Sequence, residues 1–396
     1  MAEPRRVVIT GLGVRAPGGV QDAAGFSELL RAGRVAPLQG EWPGSAMTLG
    51  TVDAAALPKP AQRAVRGGSR ALVAALLVAL AALADARVTQ AESFGVVVAG
   101  SNIAQARSFD TTRKFHQEPA WTPPRHAAEV FDTHLAAVVA EATGAQGPGL
   151  SIGGASASGN AAVAVAADLI AMGRMPGCLV VAPPLDFGPV EWQALASLGA
   201  LAPPGAPCRP FDRAAAGFVA GEGCGALVLE SLEAAQARGA TPLAEIAGHA
   251  QAQQGRAGVA PDAATALRVM RAALGALPAD ALGFISAHAT GTPAGDAAEA
   301  EALATLLGSA PVPVNATKAM IGHAIQGAAL LELVACVLQL QGGFVHGTPG
   351  LAQPITDRLY LPTTALERES LYALSPAYGF GGLATAVLLR HARDPA

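Results

Sequence analysis

The sequence predicts an α/β protein. Short β-branched runs alternate with Ala- and Leu-rich stretches along the 396 residues, 51% of the residues are hydrophobic, and no Ser/Gly linker or low-complexity tail divides the chain. A chain of that length and composition buries a large core, as two or three domain-sized units or as one fold of two similar halves. The runs "RVVITGLG", "SFGVVVAGS", "GLSIGG", "GCLVVAPP" and "CGALVLES" read as strands, followed by "LAEIAGHA", "LGFISAHAT", "VPVNATK" and "TAVLLRH". Most are continuously apolar, which suits strands covered on both faces. Helices are expected near 23–32, 68–84, 127–143, 160–172, 262–274, 296–307 and 323–340. The two sets of elements divide near residue 240, giving halves 1–240 and 241–396.

Charge and cysteine usage narrow the function. The net charge is −4 and the 26 Lys and Arg residues form no polybasic cluster, so nucleic acid is excluded as a partner. The opening "MAEPRRVVITGLG" enters a strand without an apolar signal region, and "ALVAALLVALAALADA" is cut by Asp85 too soon for a membrane span. A cytoplasmic protein without membrane insertion is expected. Cys178, Cys208, Cys224 and Cys336 lie far apart with no CxxC pair, which suggests buried hydrophobes rather than disulfides or a zinc site.

In "VVITGLGVRA" a G-x-G-x-x-A follows a strand, as in a dinucleotide-binding loop. That reading needs a second strand ending in an acidic residue about 20 positions on. Here the helix "FSELLRAGR" leads instead into the proline-broken "VAPLQGEWPG", so a tight glycine turn is expected at Gly11–Gly13.

Ser156 has richer surroundings. In "LSIGGASASGNAAVAVA", Leu150–Ile152 reads as a strand, Gly153 and Gly154 as a bend, and the rest as a small-residue helix that must be closely packed and central. A side chain at a helix N-terminus meets free backbone N–H groups and the positive end of the dipole, which favour an attacking anion and the oxyanion it creates. Such a site suits acyl transfer, although Ser156 or Ser158 could equally cap the helix. Two histidines shift the balance. His288 follows a buried strand in "FISAHATGTPAGDAAEAEAL", and His323 stands where "VNATKAMIGHAIQGAALLELV" passes from loop to helix, five residues after Lys318. Junctions at strand ends are where α/β sites form, and a histidine near a helix start is biased towards the neutral form, able to donate to a developing enolate.

The blocks "GPGLSIGGASASG", "PFDRAAAGFVAGEGCGALVLESLEAAQARGA", "AHATGTPAGDAAEAEAL", "NATKAMIGHA" and "SPAYGFGG" resemble, in order and over nearly the whole chain, the signature blocks of β-ketoacyl-acyl-carrier-protein synthases. The resemblance implies a thiolase-like fold, in which two similar halves form a five-layer αβαβα sandwich. It also implies a homodimer, or a heterodimer with another ketosynthase subunit, served by an acyl carrier protein. Acyl groups would arrive on the carrier's phosphopantetheine, with no cofactor or metal of the chain's own. In that family a cysteine takes an acyl chain, and a carrier-bound malonyl unit loses CO2 and attacks it. Carried over to this sequence, Ser156 stands at the nucleophilic cysteine, His288 and His323 match the two active-site histidines, and Lys318 the lysine associated with the second. Asp296 and Glu299 match the acidic pair after the first histidine. Phe380, flanked by Gly379 and Gly381, matches the residue whose backbone N–H completes the oxyanion hole and whose ring gates the acyl pocket. Leu383 and Ala384 replace the usual Thr-Asn, and Ala289 a usual glycine. His116, His126 and His134 fall near the expected dimer interface, as structural or surface residues.

The serine limits the chemistry. A cysteine starts from a pKa of about 8.5, whereas a hydroxyl starts nearer that of water, about 15.7, and a helix terminus supplies at most roughly 1.5 units. Ser156 must therefore lose its proton to a base during attack, and His288 or His323 is available. The expected function is that of a ketosynthase-family acyltransferase on carrier-bound acyl or malonyl thioesters in fatty acid or polyketide biosynthesis, using a serine nucleophile or malonyl decarboxylation. The alternatives are a chain-length-factor-like subunit that shapes a condensing partner's tunnel, or an ordinary synthase whose cysteine was replaced. The lost cysteine favours a chain-length factor; the intact His288, Lys318, His323 and GFGG count against it.

Overall fold

The structure, a computed structural model, describes residues 4–39, 46–259 and 261–392. Ten strands form one mixed sheet: β1 Val7–Arg15, β2 Gly95–Ala99, β3 Gly149–Ile152, β4 Gly177–Ala182, β5 Cys224–Ser231, β6 Ala244–Gln253, β7 Phe284–Ser286, β8 Val314–Asn315, β9 Tyr372–Gly379 and β10 Leu383–His391. Their spatial order is β8-β7-β9-β10-β6-β1-β5-β4-β2-β3. Read from the centre outwards, β1-β5-β4-β2-β3 and β6-β10-β9-β7-β8 share one pattern, with two antiparallel pairings followed by two parallel ones. The two sets meet where Val8 pairs with Glu245 and Ile9 with Ala244.

Eight helices matter for the site: α1 Ala23–Ala32, α2 Arg70–Asp85, α3 Thr133–Thr143, α4 Ser158–Ala171, α5 Pro189–Ser197, α6 Ala263–Leu274, α7 Pro293–Leu307 and α8 Ala328–Gly342. Helices α2 and α3 pack on the outer face of the first five strands and α6, with α7 beside it, on the outer face of the last five, while α4 and α8 lie between the two sheet halves. This is the five-layer αβαβα arrangement of the thiolase-like fold. Separate apolar clusters fill the spaces between layers. The middle layer depends on small residues: a Cβ on Gly159 of α4 would lie 2.3 Å from the backbone nitrogen of Leu330 in α8. The stretch Ile325–Gly342 is long and apolar enough to cross a membrane, yet 72% of it is buried within the protein, as a central core helix requires.

Three local expectations are corrected. Gly11 and Gly13 lie inside β1 rather than in a turn, and they admit α2: a Cβ there would stand 2.3 Å from the Ala82 carbonyl oxygen and 1.9 Å from that of Val78, respectively. The helix expected over 127–143 is split into His126–Glu129 and α3. At the break, Asp132 accepts the Asn102 N–H with its carboxylate at 2.7 Å and the Ser151 hydroxyl with its carbonyl at 2.6 Å. Strand β9 is absent from the expected strands, and it carries Pro376, a residue unusual in a central strand. It is tolerated because β9 pairs with β7 only through Ala373 and Leu374, so Pro376 has a register partner in β10 alone and no β7 acceptor waits for the N–H it lacks.

Candidate active site

Ser156 sits in a single 3₁₀ turn, Ala155–Ala157, that runs directly into α4. Ala155 adopts φ 48°, a left-handed conformation that costs an alanine roughly 1–2 kcal/mol. Ser158 holds the turn: its hydroxyl accepts the Gly154 N–H at 2.9 Å and donates to the Ala155 carbonyl at 2.7 Å. The end of β9 presses on the same turn, where a Cβ on Gly379 would fall 2.1 Å from the Gly154 carbonyl oxygen. These contacts fix Ser156, which is buried.

His323 follows the short helix Lys318–Ile321 and is clamped by backbone on both sides: its N–H donates to Val219 at 2.7 Å and its carbonyl accepts from Gly221 at 2.9 Å. The clamp aims Nε2 at Ser156 Oγ, 2.9 Å away. The imidazole lies edge-on to Phe218 and to His288, with ring centroids at 5.2 and 5.5 Å.

His288 leaves the end of β7, and its backbone is tied down by Glu299 of α7, whose carboxylate accepts the N–H groups of His288 at 2.8 Å and of Ala289 at 2.6 Å. Lys318 Nζ lies 3.2 Å from His288 Nδ1 and also donates to the His288 carbonyl and to Glu332 of α8. Three ammonium hydrogens are thereby matched to three acceptors. With Nδ1 accepting, neutral His288 carries its proton on Nε2, a tautomer assigned from this network.

Burial sets the ionisation of the site. It holds His288 well below the ordinary histidine range, with Lys318 and then His323 adding to the effect, and it holds His323 there too, again helped by Lys318. Both rings stay neutral near pH 7. Burial raises Glu299 to about 8 against its two backbone hydrogen bonds, and Asp296 to about 6. It also pushes the Glu332 carboxyl up, opposed by the adjacent Lys318 ammonium. Asp296 accepts the N–H groups of Phe211 at 2.7 Å and Gly291 at 3.1 Å, so it braces the loop after His288.

Ser156, His288 and His323 line one cavity of about 270 Å³, together with Gly379, Phe380, Leu383 and Ala384. Lys318 stands behind His288, and Asp296 and Glu299 reach the cavity wall while holding backbone. Phe380 is 44% exposed, in the turn between β9 and β10. Gly381 differs from expectation: it is not part of the wall, its N–H is given to the Gly258 carbonyl at 2.9 Å, and its φ of 90° serves the turn. His116, His126 and His134 lie outside the cavity. Sequence reasoning missed Glu332, although a lone carboxylate inside the apolar run "GAALLELVACVLQL" was the available signal, because a buried charge needs a partner. It also missed Tyr378, whose ring stands edge-on to His288 at 5.5 Å.

Residues 4–235 match the β-ketoacyl synthase N-terminal domain and residues 243–352 its C-terminal domain. The chain is 31% identical over 403 residues to the polyketide biosynthesis malonyl-ACP decarboxylase PksF of Bacillus subtilis (strain 168), covering 97% of this chain and 96% of the relative. The ishigamide ketosynthase/chain length factor matches it with a TM-score of 0.86 at 27% identity, over 98% of this chain and 99% of that one. A structure described as a type II PKS acyl-carrier protein in complex with its ketosynthase bound to the hexaketide matches with a TM-score of 0.85 at 28% identity, over 98% and 100%. Two adjoining domain matches that take up most of the sequence, with a relative above 30% identity along nearly its full length, make this chain a member of the β-ketoacyl synthase family.

Proposed function

We propose that the chain decarboxylates a malonyl thioester held on the phosphopantetheine arm of an acyl carrier protein, leaving an acetyl thioester for polyketide assembly. The observation that carries this reading is the pair of neutral imidazoles, with Lys318 fixing the His288 proton on Nε2, beside a hydroxyl rather than a thiol. With the thioester carbonyl between the two rings, the bond from the α-carbon to the carboxylate breaks and CO2 departs. The electron pair passes into the carbonyl, and the enolate oxygen is held by Nε2–H donors before solvent protonates the carbon. Donors aimed at charge that exists only in the transition state and enolate lower the barrier without a covalent acyl-enzyme. The decarboxylase relative, similar over almost the whole chain, supports the same reading.

Further support comes from the ketosynthase neighbours, one with a chain length factor and one with a carrier protein. They favour a carrier-protein partner for this chain and a homodimer or a heterodimer with another ketosynthase subunit. The repeated strand order supports reading 1–240 and 241–396 as duplicated halves. A second reading, transient acylation of Ser156, rests on its 2.9 Å contact with His323, which in its other neutral tautomer, with Nε2 unprotonated, would take the hydroxyl proton during attack. The test is to incubate the protein with malonyl-loaded carrier and follow the carrier by intact mass spectrometry. Conversion to acetyl-carrier with release of CO2 supports decarboxylation; a carrier that keeps its malonyl group contradicts it.

A further inference from the structure

The cavity that holds Ser156 extends beyond the catalytic side chains to further apolar and polar residues. Its wall includes Phe187 and Leu195, which pack in one apolar cluster with Phe218, the ring edge-on to His323, and it also includes the polar side chains of Asn102, Gln105 and Gln326. Phe187 also lines a separate cavity of about 150 Å³, and its ring is braced edge-on by Trp192 at 5.6 Å. That second cavity is charged. Arg70 and Glu222 form a two-bonded ion pair in it, at 2.9 and 3.0 Å. Asp186, the residue before Phe187, lines it too, with one buried carboxylate oxygen that has no hydrogen-bond partner. Burial raises the Asp186 carboxyl to about 6, against Arg107 and Arg70.

We infer that Phe187 and Asp186 limit the acyl group of this site to short chains, no longer than butyryl. An acyl tail extending past the active site meets the Phe187–Trp192 pair, and beyond it ionised groups rather than an apolar tunnel. Alkyl carbon laid against ion pairs and an unpartnered carboxylate displaces their hydration without replacing it, which is unfavourable. The amides on the near wall add to this, since an alkyl tail there leaves their hydrogen bonds unmade. Malonyl is short enough to avoid both obstacles. The inference rests on the decarboxylase reading and names the substrate class that reading admits; it also removes the room that condensation of long tails requires.

The test measures binding, so it does not depend on turnover. Acyl-pantetheine analogues in which a methylene replaces the thioester sulfur are titrated by calorimetry into the full-length protein, from acetyl through butyryl and hexanoyl to octanoyl. In an open apolar arm each buried methylene tightens Kd by roughly fourfold. The parent protein is expected to show no tightening beyond butyryl, whereas the double variant Asp186→Leu, Phe187→Ala gains at least about tenfold from butyryl to octanoyl. Steady tightening in the parent overturns the inference. So does a double variant that binds the acetyl analogue as the parent does yet gains nothing from longer tails. CO2 release from malonyl-carrier, measured on the same preparation, separates the two claims. A flat Kd series without CO2 release leaves the length limit standing and sinks the decarboxylase, and a steep series with CO2 release does the reverse.

Discussion

Ser156 Oγ stands 2.9 Å from His323 Nε2, joining the start of α4 to the loop that follows Lys318. In a cysteine enzyme the same geometry would set a thiol beside an imidazole, and a thiol near a helix start needs only a modest shift to ionise. The hydroxyl gains little from that setting, so the position favours chemistry that leaves the oxygen uncharged. Replacing Ser156 by Cys is therefore expected to create an acylatable site. Intact mass after exposure to acetyl-pantetheine should show an acetyl adduct on the Ser156→Cys protein under conditions where the parent carries none. Equal adducts on both would show that Ser156 is itself a competent nucleophile.

The Lys318–His288 contact predicts a pH response. Burial first, and then Lys318, hold His288 below its ordinary value of 6.5, so its Nε2–H remains a neutral donor as the solution is acidified. CO2 release should therefore show no acid limb from histidine protonation down to about pH 6, where an ordinary histidine becomes largely protonated. The double variant Lys318→Met, Glu332→Gln removes the cation without stranding the carboxylate. His288 then takes up a proton more readily, and the acid limb of the rate profile should move upwards. An unchanged limb would remove Lys318 from the account.

The same depressed histidines link folding to pH. As the pH falls through about 6.5 the unfolded chain binds protons that the folded imidazoles refuse, so stability present above that value is lost on acidification. Glu299 and Asp296, whose carboxyls are raised in the fold, contribute with the opposite sign, so the loss is read as a difference: on acidification in urea unfolding, the parent should lose more stability, or gain less, than His288→Gln. If the variant follows the parent curve, His288 contributes nothing to the linkage.

Packing of the middle layer is tested at Gly159. A Cβ there would lie 2.3 Å from the Leu330 nitrogen, so Gly159→Ala must push α4 from α8 and should cost ~1–3 kcal/mol in urea unfolding, with CO2 release falling as Ser156 shifts. Unchanged stability would mean that the two helices do not meet as described.

Much of this site was legible because its signals sit at junctions. "GGASAS" places a serine between strand and helix, His288 follows an apolar run that reads as a buried strand, and His323 stands where a loop passes into a helix. Less was legible where one residue answers to a distant one. Gly11 and Gly13 look like a turn until α2 is laid across β1. Pro376 forbids a central strand until the shortness of β7 frees its nitrogen side. Glu332 reads as an oddity in a core helix until Lys318, 14 positions earlier, is seen against it. Gly381 belongs to the expected motif, yet its N–H is spent on Gly258, a partner no local pattern names.

In the proposed reaction the histidines, and not Ser156, carry the chemistry. CO2 release from malonyl-loaded carrier protein, compared among the parent, Ser156→Ala, His288→Ala and His323→Ala, tests it most directly. Ser156→Ala is expected to keep the rate within about tenfold, while each histidine variant loses about 10²- to 10³-fold, the usual effect of deleting one donor to a developing oxyanion. Loss of CO2 release in Ser156→Ala with retention in both histidine variants would contradict it.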